Sequence, residues 1–172
     1  MTPMIRSERP ADAAAIRGVH DAAFAGPAEG RLVDALRDSG AFSPDLSLVA
    51  VTADGDVVGH VLFSRLDLEV NGRDVPATAL APLAVLPWHQ RTGIGTRLVR
   101  EGLRRLEALR YEAVVVLGDP AYYARFGFSQ ALAAPLASPY AGPHLQALAL
   151  VPGMLSSARR GRIIYPPPFD AL

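Results

Sequence analysis

The sequence predicts a mixed α/β (α+β) fold, a mostly antiparallel sheet of about six to seven strands flanked by helices, and three observations carry that prediction. Two hairpin signals, Asp54-Gly55 and Asn71-Gly72, join three apolar stretches in succession. A long amphipathic segment then places Ile94, Leu98, Val99, Leu103, Leu106 and Leu109 on one side, with Arg97, Arg100, Arg104, Arg105 and Glu107 mostly on the other. Directly after it comes a wholly apolar run, residues 113–117 (AVVVL), of the kind that a sheet buries on both faces.

Taken in order, residues 4–9 (MIRSER) read as a short first strand. Pro10 suits the first turn of a helix, and Ile16, Val19, His20 and Phe24 recur at helical spacing, so a helix is expected over 10–24. Gly26 ends it. Pro27 opens a second helix through Leu32, Val33 and Leu36, closed near Gly40. Strands follow over 46–52, 57–70 and 75–86, then the amphipathic helix over 93–110 and the buried strand over 113–117. Gly118-Asp119-Pro120 leads into a short helix ending at Gly127, and further strands are expected near 144–151 and 162–165.

Composition narrows the function. At 172 residues, half of them apolar, the chain suits one domain with a real core. The formal net charge is zero, which gives no basic field for a nucleic-acid backbone or an anionic membrane. There is no cysteine, so disulfides, thiolate nucleophiles and Cys-based zinc sites are excluded. All 17 basic residues are arginine, which excludes lysine Schiff-base chemistry. The opening MTPMIRSERP lacks the apolar core of a secretory signal, so a cytoplasmic location is expected. The stretch 129–158 has no charged side chain, but Pro135, Pro139, Pro143 and Pro152 interrupt it, and it reads as packed irregular chain rather than a membrane span. The four histidines show no metal-ligand spacing, so no metal is expected.

The most informative segment is 83–98, LAVLPWHQRTGIGTRL. A strand runs out at Pro87, a polar loop Gln90-Arg91-Thr92 follows, and Gly93-Ile94-Gly95 opens a helix. Glycines at a helix start leave backbone N–H groups bare, and the helix dipole adds partial positive charge at the same place. That combination makes a pyrophosphate cradle, with Arg91 and Arg97 as candidate added charge. There is no GxxxxGK[ST] pattern and no third glycine for a GxGxxG turn, which argues against a small-molecule kinase or a dehydrogenase.

Gln90-Arg91-Thr92-Gly93-Ile94-Gly95, between an apolar strand and an amphipathic helix, resembles the Q/R-x-x-G-x-G/A signature of the GNAT superfamily of acyl-CoA-dependent N-acyltransferases. About 30 residues on, AYYARFGF (121–128) is similar to that family's later pattern, an aromatic pair one helical turn before Gly-Phe. The resemblance covers about residues 4–151, with 152–172 as an extension packing on the same single domain. It implies a central strand pair that splays, so that the backbone of Leu83, Ala84 and Val85 is free to pair with pantetheine and to polarise the acetyl carbonyl. It implies that the N–H groups of Gln90, Arg91, Thr92, Gly93, Ile94, Gly95 and Thr96 hold the pyrophosphate of acetyl-CoA.

Attack of an amine on a thioester needs a base for the ammonium, a donor for the oxyanion and an acid for the departing thiolate. Tyr123 occupies the position where the family carries its acid, with Tyr122 read as its core-facing neighbour. Glu29, on the second helix, and His60, on a central strand and acting through water, are the candidate bases. Asp119 reads as a helix cap and His89 as positional. The expected activity is acetyl transfer from acetyl-CoA to a primary amine, on a small molecule or a protein, by a monomer or homodimer. The alternative is a module of the same fold that binds or senses acyl-CoA with little turnover.

Overall fold

The computed structural model describes residues 2–172, which fall into two compact units threaded by the same chain. The first takes the chain through Ser64, then Ala81–Arg105 and Pro167–Leu172; the second holds Arg65–Leu80 and Leu106–Pro166. The element order is β1 (Met4–Ser7), α1 (Ala13–Phe24), α2 (Ala28–Arg37), β2 (Ser47–Val51), β3 (Val57–Val70), β4 (Arg73–Val85), α3 (Ile94–Ala108) and β5 (Ala113–Leu117). Then come α4 (Pro120–Tyr123), α5 (Gln130–Ala133), β6 (Leu136–Ala137), β7 (Leu145–Ala149) and β8 (Gly161–Ile164).

In the first unit β1 pairs antiparallel with β2, from Met4↔Val51 to Ser7↔Leu48, and β2 pairs antiparallel with β3, from Ser47↔Leu62 to Val51↔Val57. All five residues of β2 are buried, the apolar run 48–51 as a strand covered on both faces requires, and Ser47 through its hydrogen bonds. The buried stripe of α3 is Ile94, Leu98, Val99 and Leu106. Gly102, also on α3, is where Phe63 of β3 comes closest: a methyl group there would overlap the edge of the Phe63 ring. Gly102→Ala is therefore expected to destabilise the fold by about 1–3 kcal/mol, the usual cost of overpacking a filled core, despite the better helix propensity of alanine. Chemical denaturation of the variant measures this, and a stability equal to or above wild type would contradict it.

In the second unit β4 and β5 are parallel, from Ala77↔Ala113 to Leu80↔Val116, and β4 continues beyond that register to Val85. β7 lies antiparallel to β5, from Ala113↔Ala149 to Leu117↔Leu145. β8 pairs with β3 over Asp67–Val70, and β6 pairs with β8. Seven of the eight strands of this mixed sheet are the seven expected ones. The eighth, β6, has two residues, too few for any period to show. The stretch expected to be irregular, 129–158, also holds the one-turn helix α5, capped by Ser129 Oγ, which accepts from Leu132 N at 3.1 Å. Leu109 departs from its expected place on the apolar stripe: α3 ends at Ala108, Arg110 turns left-handed at φ 66°, and Leu109 is 50% exposed.

Candidate active site

The polar loop after β4 is held open by its own local bonds. Leu86 N donates to Val58 O at 2.9 Å, which fixes the end of β4 on β3. Gln90 Nε2 donates back to Val85 O at 2.9 Å, and Thr92 Oγ1 donates to His89 O at 2.6 Å. Arg91 and Gly93 both take the left-handed conformation, at φ 62° and 88°. Arg97 N donates to Gly93 O at 3.0 Å and so closes the first turn of α3. The N–H groups of Gly93, Ile94 and Gly95 precede that bond and have no acceptor within the helix, which is the arrangement that attracts an anion. A Cβ at Gly93 would have open space around it. Nearby, Gly59 of β3 lets the start of α3 approach, since a Cβ there would lie 3.1 Å from both Ile94 and Leu98. The Arg97 guanidinium donates through NH1 to Pro3 O at 2.8 Å.

Tyr123 lies in the second unit, at the end of α4. Asp119 caps that helix, accepting from Ala121 N at 3.0 Å, and Pro120 follows at the first helical position, as expected. The Tyr123 ring rests on the Gly118 backbone; a Cβ at Gly118 would come within 2.6 Å of its Cε2. Edge contacts to Phe128 (5.8 Å between centroids) and Tyr122 (5.0 Å) complete its surroundings. Burial, and secondarily Tyr122, push the Tyr123 phenol up, so it keeps its proton throughout the physiological range. Of the pair it is Tyr123 that packs on the buried Phe128, whereas Tyr122 carries the Arg125 guanidinium 4.2 Å above its ring. Both rings are half-buried, and Tyr122 also meets Phe126 edge-on at 5.7 Å.

Glu29 lies in the first turn of α2 and is half-buried. His89 lies in the turn before the polar loop, its ring tilted against Trp88 at 6.5 Å. His60 is different: it is fully buried on β3, and both ring nitrogens are engaged. Its Nδ1 is 2.8 Å from His20 Nε2 and its Nε2 is 2.8 Å from Ser47 Oγ. Ser47 in turn donates to Glu8, and Arg37 Nε donates to Glu8 Oε2 at 2.9 Å. Neither face of His60 is left for a water or an amine. Glu8, Ser47 and His20 were not legible as a group, although His20 carried a signal. A histidine on an otherwise apolar helical stripe needs a buried partner, because an unpaired polar group in a core is costly.

Burial holds both imidazoles neutral in the folded chain, His20 down to about 4 and His60 well below its usual value. An unfolded histidine gains its proton near 6.5. Below that pH the unfolded chain binds more protons than the folded one, so stability rises with pH across the window. The unfolding temperature is expected to fall as pH drops from 6.5 toward about 4, where His20 itself titrates, and to be flatter in a variant with both histidines replaced by glutamine. Equal slopes in the two proteins would contradict this.

The family model for the acetyltransferase (GNAT) domain matches residues 4–131. The chain belongs to the GNAT acetyltransferase family. It is 44% identical over 128 residues to YhbS of Escherichia coli K12, an uncharacterized N-acetyltransferase, covering 74% of each chain. Its fold is similar to the crystal structure of E. coli YhbS in complex with CoA, with a TM-score of 0.88 and 37% identity over 99% of this chain and 93% of that one. It is also similar to a GNAT acetyltransferase from Brucella melitensis in complex with acetyl-CoA, with a TM-score of 0.77 and 41% identity over 97% of each chain. The GNAT span includes both the polar loop and Tyr123, while β6, β7 and β8 lie past its end. As a member of that family the chain is an acyltransferase. Among the described residues no helix is long and apolar enough to cross a membrane.

Proposed function

We propose that this acetyltransferase moves the acetyl group of acetyl-CoA to a primary amine by direct attack in a ternary complex. The observation that carries the reading is the exposed start of α3, where Gly93 at φ 88° opens a row of N–H groups with no helical acceptor. Its chemistry fits a pyrophosphate, and the two similar enzymes described above hold CoA and acetyl-CoA. In this reading the N–H groups of the loop and first turn around Gly93, Ile94 and Gly95 bind the diphosphate, while that of Gln90 donates to Pro87 O at 3.3 Å. The backbone of Leu83, Ala84 and Val85, beyond the registered part of β4, pairs with pantetheine and polarises the thioester carbonyl.

Tyr123 supplies the proton for the departing thiolate. Its phenol is kept protonated by burial and is positioned by Gly118 and Phe128 rather than by a hydrogen bond that would have to break. Glu29, half-buried at the start of α2, is a candidate for contact with the acceptor ammonium. The acceptor is a small-molecule or protein amine. Release of free CoA thiol, measured with acetyl-CoA against a panel of monoamines, polyamines, amino acids and peptide N-termini, tests the proposal. Amine-dependent thiol release with a matching acetylated product supports it. Thiol release that does not depend on any amine would contradict it.

A further inference from the structure

Trp88 is the chain's single tryptophan, and at 73% it is the most exposed large apolar side chain among the described residues. It is the middle residue of the tight 3₁₀ turn Pro87–His89, which closes through His89 N donating to Leu86 O at 2.8 Å and Gln90 N donating to Pro87 O at 3.3 Å. Thr92, next to Gly93 at the start of the anion cradle, donates through Oγ1 to His89 O at 2.6 Å. The turn that carries the indole and the cradle are thus bonded into one short loop, within one unit of the structure. His89 meets the indole at 6.5 Å between centroids and 50° between planes, a tilted contact rather than a stack. A ring covered on both faces could not be 73% exposed, so at least one face of the indole is open to solvent. The fold leaves the largest flat apolar side chain of the sequence uncovered immediately beside the place where a diphosphate fits.

We propose that Trp88 is the platform on which the adenine ring of acetyl-CoA stacks. The proposal rests on the acetyl-CoA reading above and concerns affinity for the cosubstrate, not the transfer step. Acetyl-CoA carries its thioester and its adenine on opposite sides of the diphosphate. With the diphosphate at Gly93, Ile94 and Gly95 and the pantetheine along Leu83, Ala84 and Val85, the adenosine leaves the cradle on its solvent side. An open indole in the same loop offers the purine a π-face, and a base stacked on an aromatic ring needs no further hydrogen-bond partner. The contact also adds a selection that the backbone cannot make. Bare N–H groups at a helix start accept any phosphate, whatever is attached to it. The indole rewards the purine, so it separates a thioester linked to a nucleotide from one carried on phosphopantetheine alone.

The test pairs two ligands, CoA and 4′-phosphopantetheine, with wild type, Trp88→Ala and Trp88→Phe, the affinities read by titration calorimetry. Trp88→Ala is expected to weaken CoA about 10-fold and 4′-phosphopantetheine by no more than about twofold, because only CoA has a base to lose its partner. Trp88→Phe keeps an aromatic face and is expected to hold CoA within about threefold of wild type. Since Trp88 is the only tryptophan, its fluorescence reads the contact directly. Quenching by CoA and by adenosine 3′,5′-bisphosphate, and none by 4′-phosphopantetheine, is the expected result. Equal losses for both ligands in Trp88→Ala would mean that the side chain shapes the loop and would overturn the platform, as would unchanged CoA affinity. CoA binding without any change in wild-type fluorescence overturns the platform and leaves the acetyl-CoA site standing. If wild type binds no CoA, the acetyl-CoA reading falls and the platform with it. A fluorescence that shifts with protein concentration before any ligand is added, and no further with CoA, would assign the indole to a contact between copies of the chain instead.

Discussion

Tyr123→Phe is expected to lower kcat by about 10²–10⁴-fold while leaving the affinity for acetyl-CoA within about twofold. The substitution removes one hydroxyl and nothing else. Phenylalanine retains the ring that rests on Gly118 and meets Phe128 and Tyr122 edge-on, so the surrounding packing is preserved. What disappears is a proton donor held in its neutral form by burial. The raised phenol also predicts the shape of the pH profile. The acid is lost only when the phenol ionises, so the wild-type rate should show no alkaline decline attributable to it near the ordinary tyrosine value of 10. Steady-state kinetics from pH 6 to 10 measures both effects. A Tyr123→Phe enzyme that matches wild type at every pH shows that another group, or water, protonates the thiolate.

The second large effect is expected at the start of α3. Gly93→Val should weaken acetyl-CoA binding by at least about 100-fold, and Gly95→Val should do the same. Gly93 has φ 88°, a conformation that costs an L-residue roughly 1–2 kcal/mol and a β-branched one more. The turn must then rearrange, and its N–H groups no longer converge on one anion. The open space around a Gly93 Cβ means that no neighbouring side chain is displaced, so the loss falls on the loop rather than on the core. Far-ultraviolet circular dichroism checks that the variant is folded, and titration calorimetry with acetyl-CoA reads the affinity. Tight binding by folded Gly93→Val protein would remove the diphosphate assignment from this loop.

Much of this architecture was legible because it is local. Asp54-Gly55 and Asn71-Gly72 specify hairpins from two residues each, and the α3 stripe repeats often enough to fix both its period and its buried face. The Gly93 loop was legible for the same reason, since a strand end, a turn and a helix start are contiguous. Two kinds of feature were hidden. Very short elements such as β6 and α5 carry no period and exist because a neighbour or a single capping serine holds them. The Glu8–Ser47–His60–His20 chain joins residues up to 40 positions apart, and no spacing rule connects a strand-end glutamate to a helical histidine. Sequence reasoning selected His60 for its chemistry, but only the fold shows that both of its nitrogens are engaged. The contacts of the Tyr122 and Tyr123 pair were hidden for a related reason: adjacent helical residues differ by about 100° in direction, and the close approach of Gly118 to the Tyr123 ring depends on the fold.

Thermal unfolding of the purified protein with and without acetyl-CoA, with NADH and ATP as controls, tests the central claim most directly. A ligand that binds only the folded chain stabilises it by about 2.7 kcal/mol at a hundred times its dissociation constant. A clear rise in unfolding temperature with acetyl-CoA, and none with NADH or ATP, is the predicted result. No rise with acetyl-CoA at concentrations far above micromolar, or an equal rise with all three nucleotides, would contradict the assignment of the Gln90–Thr96 loop as an acetyl-CoA site.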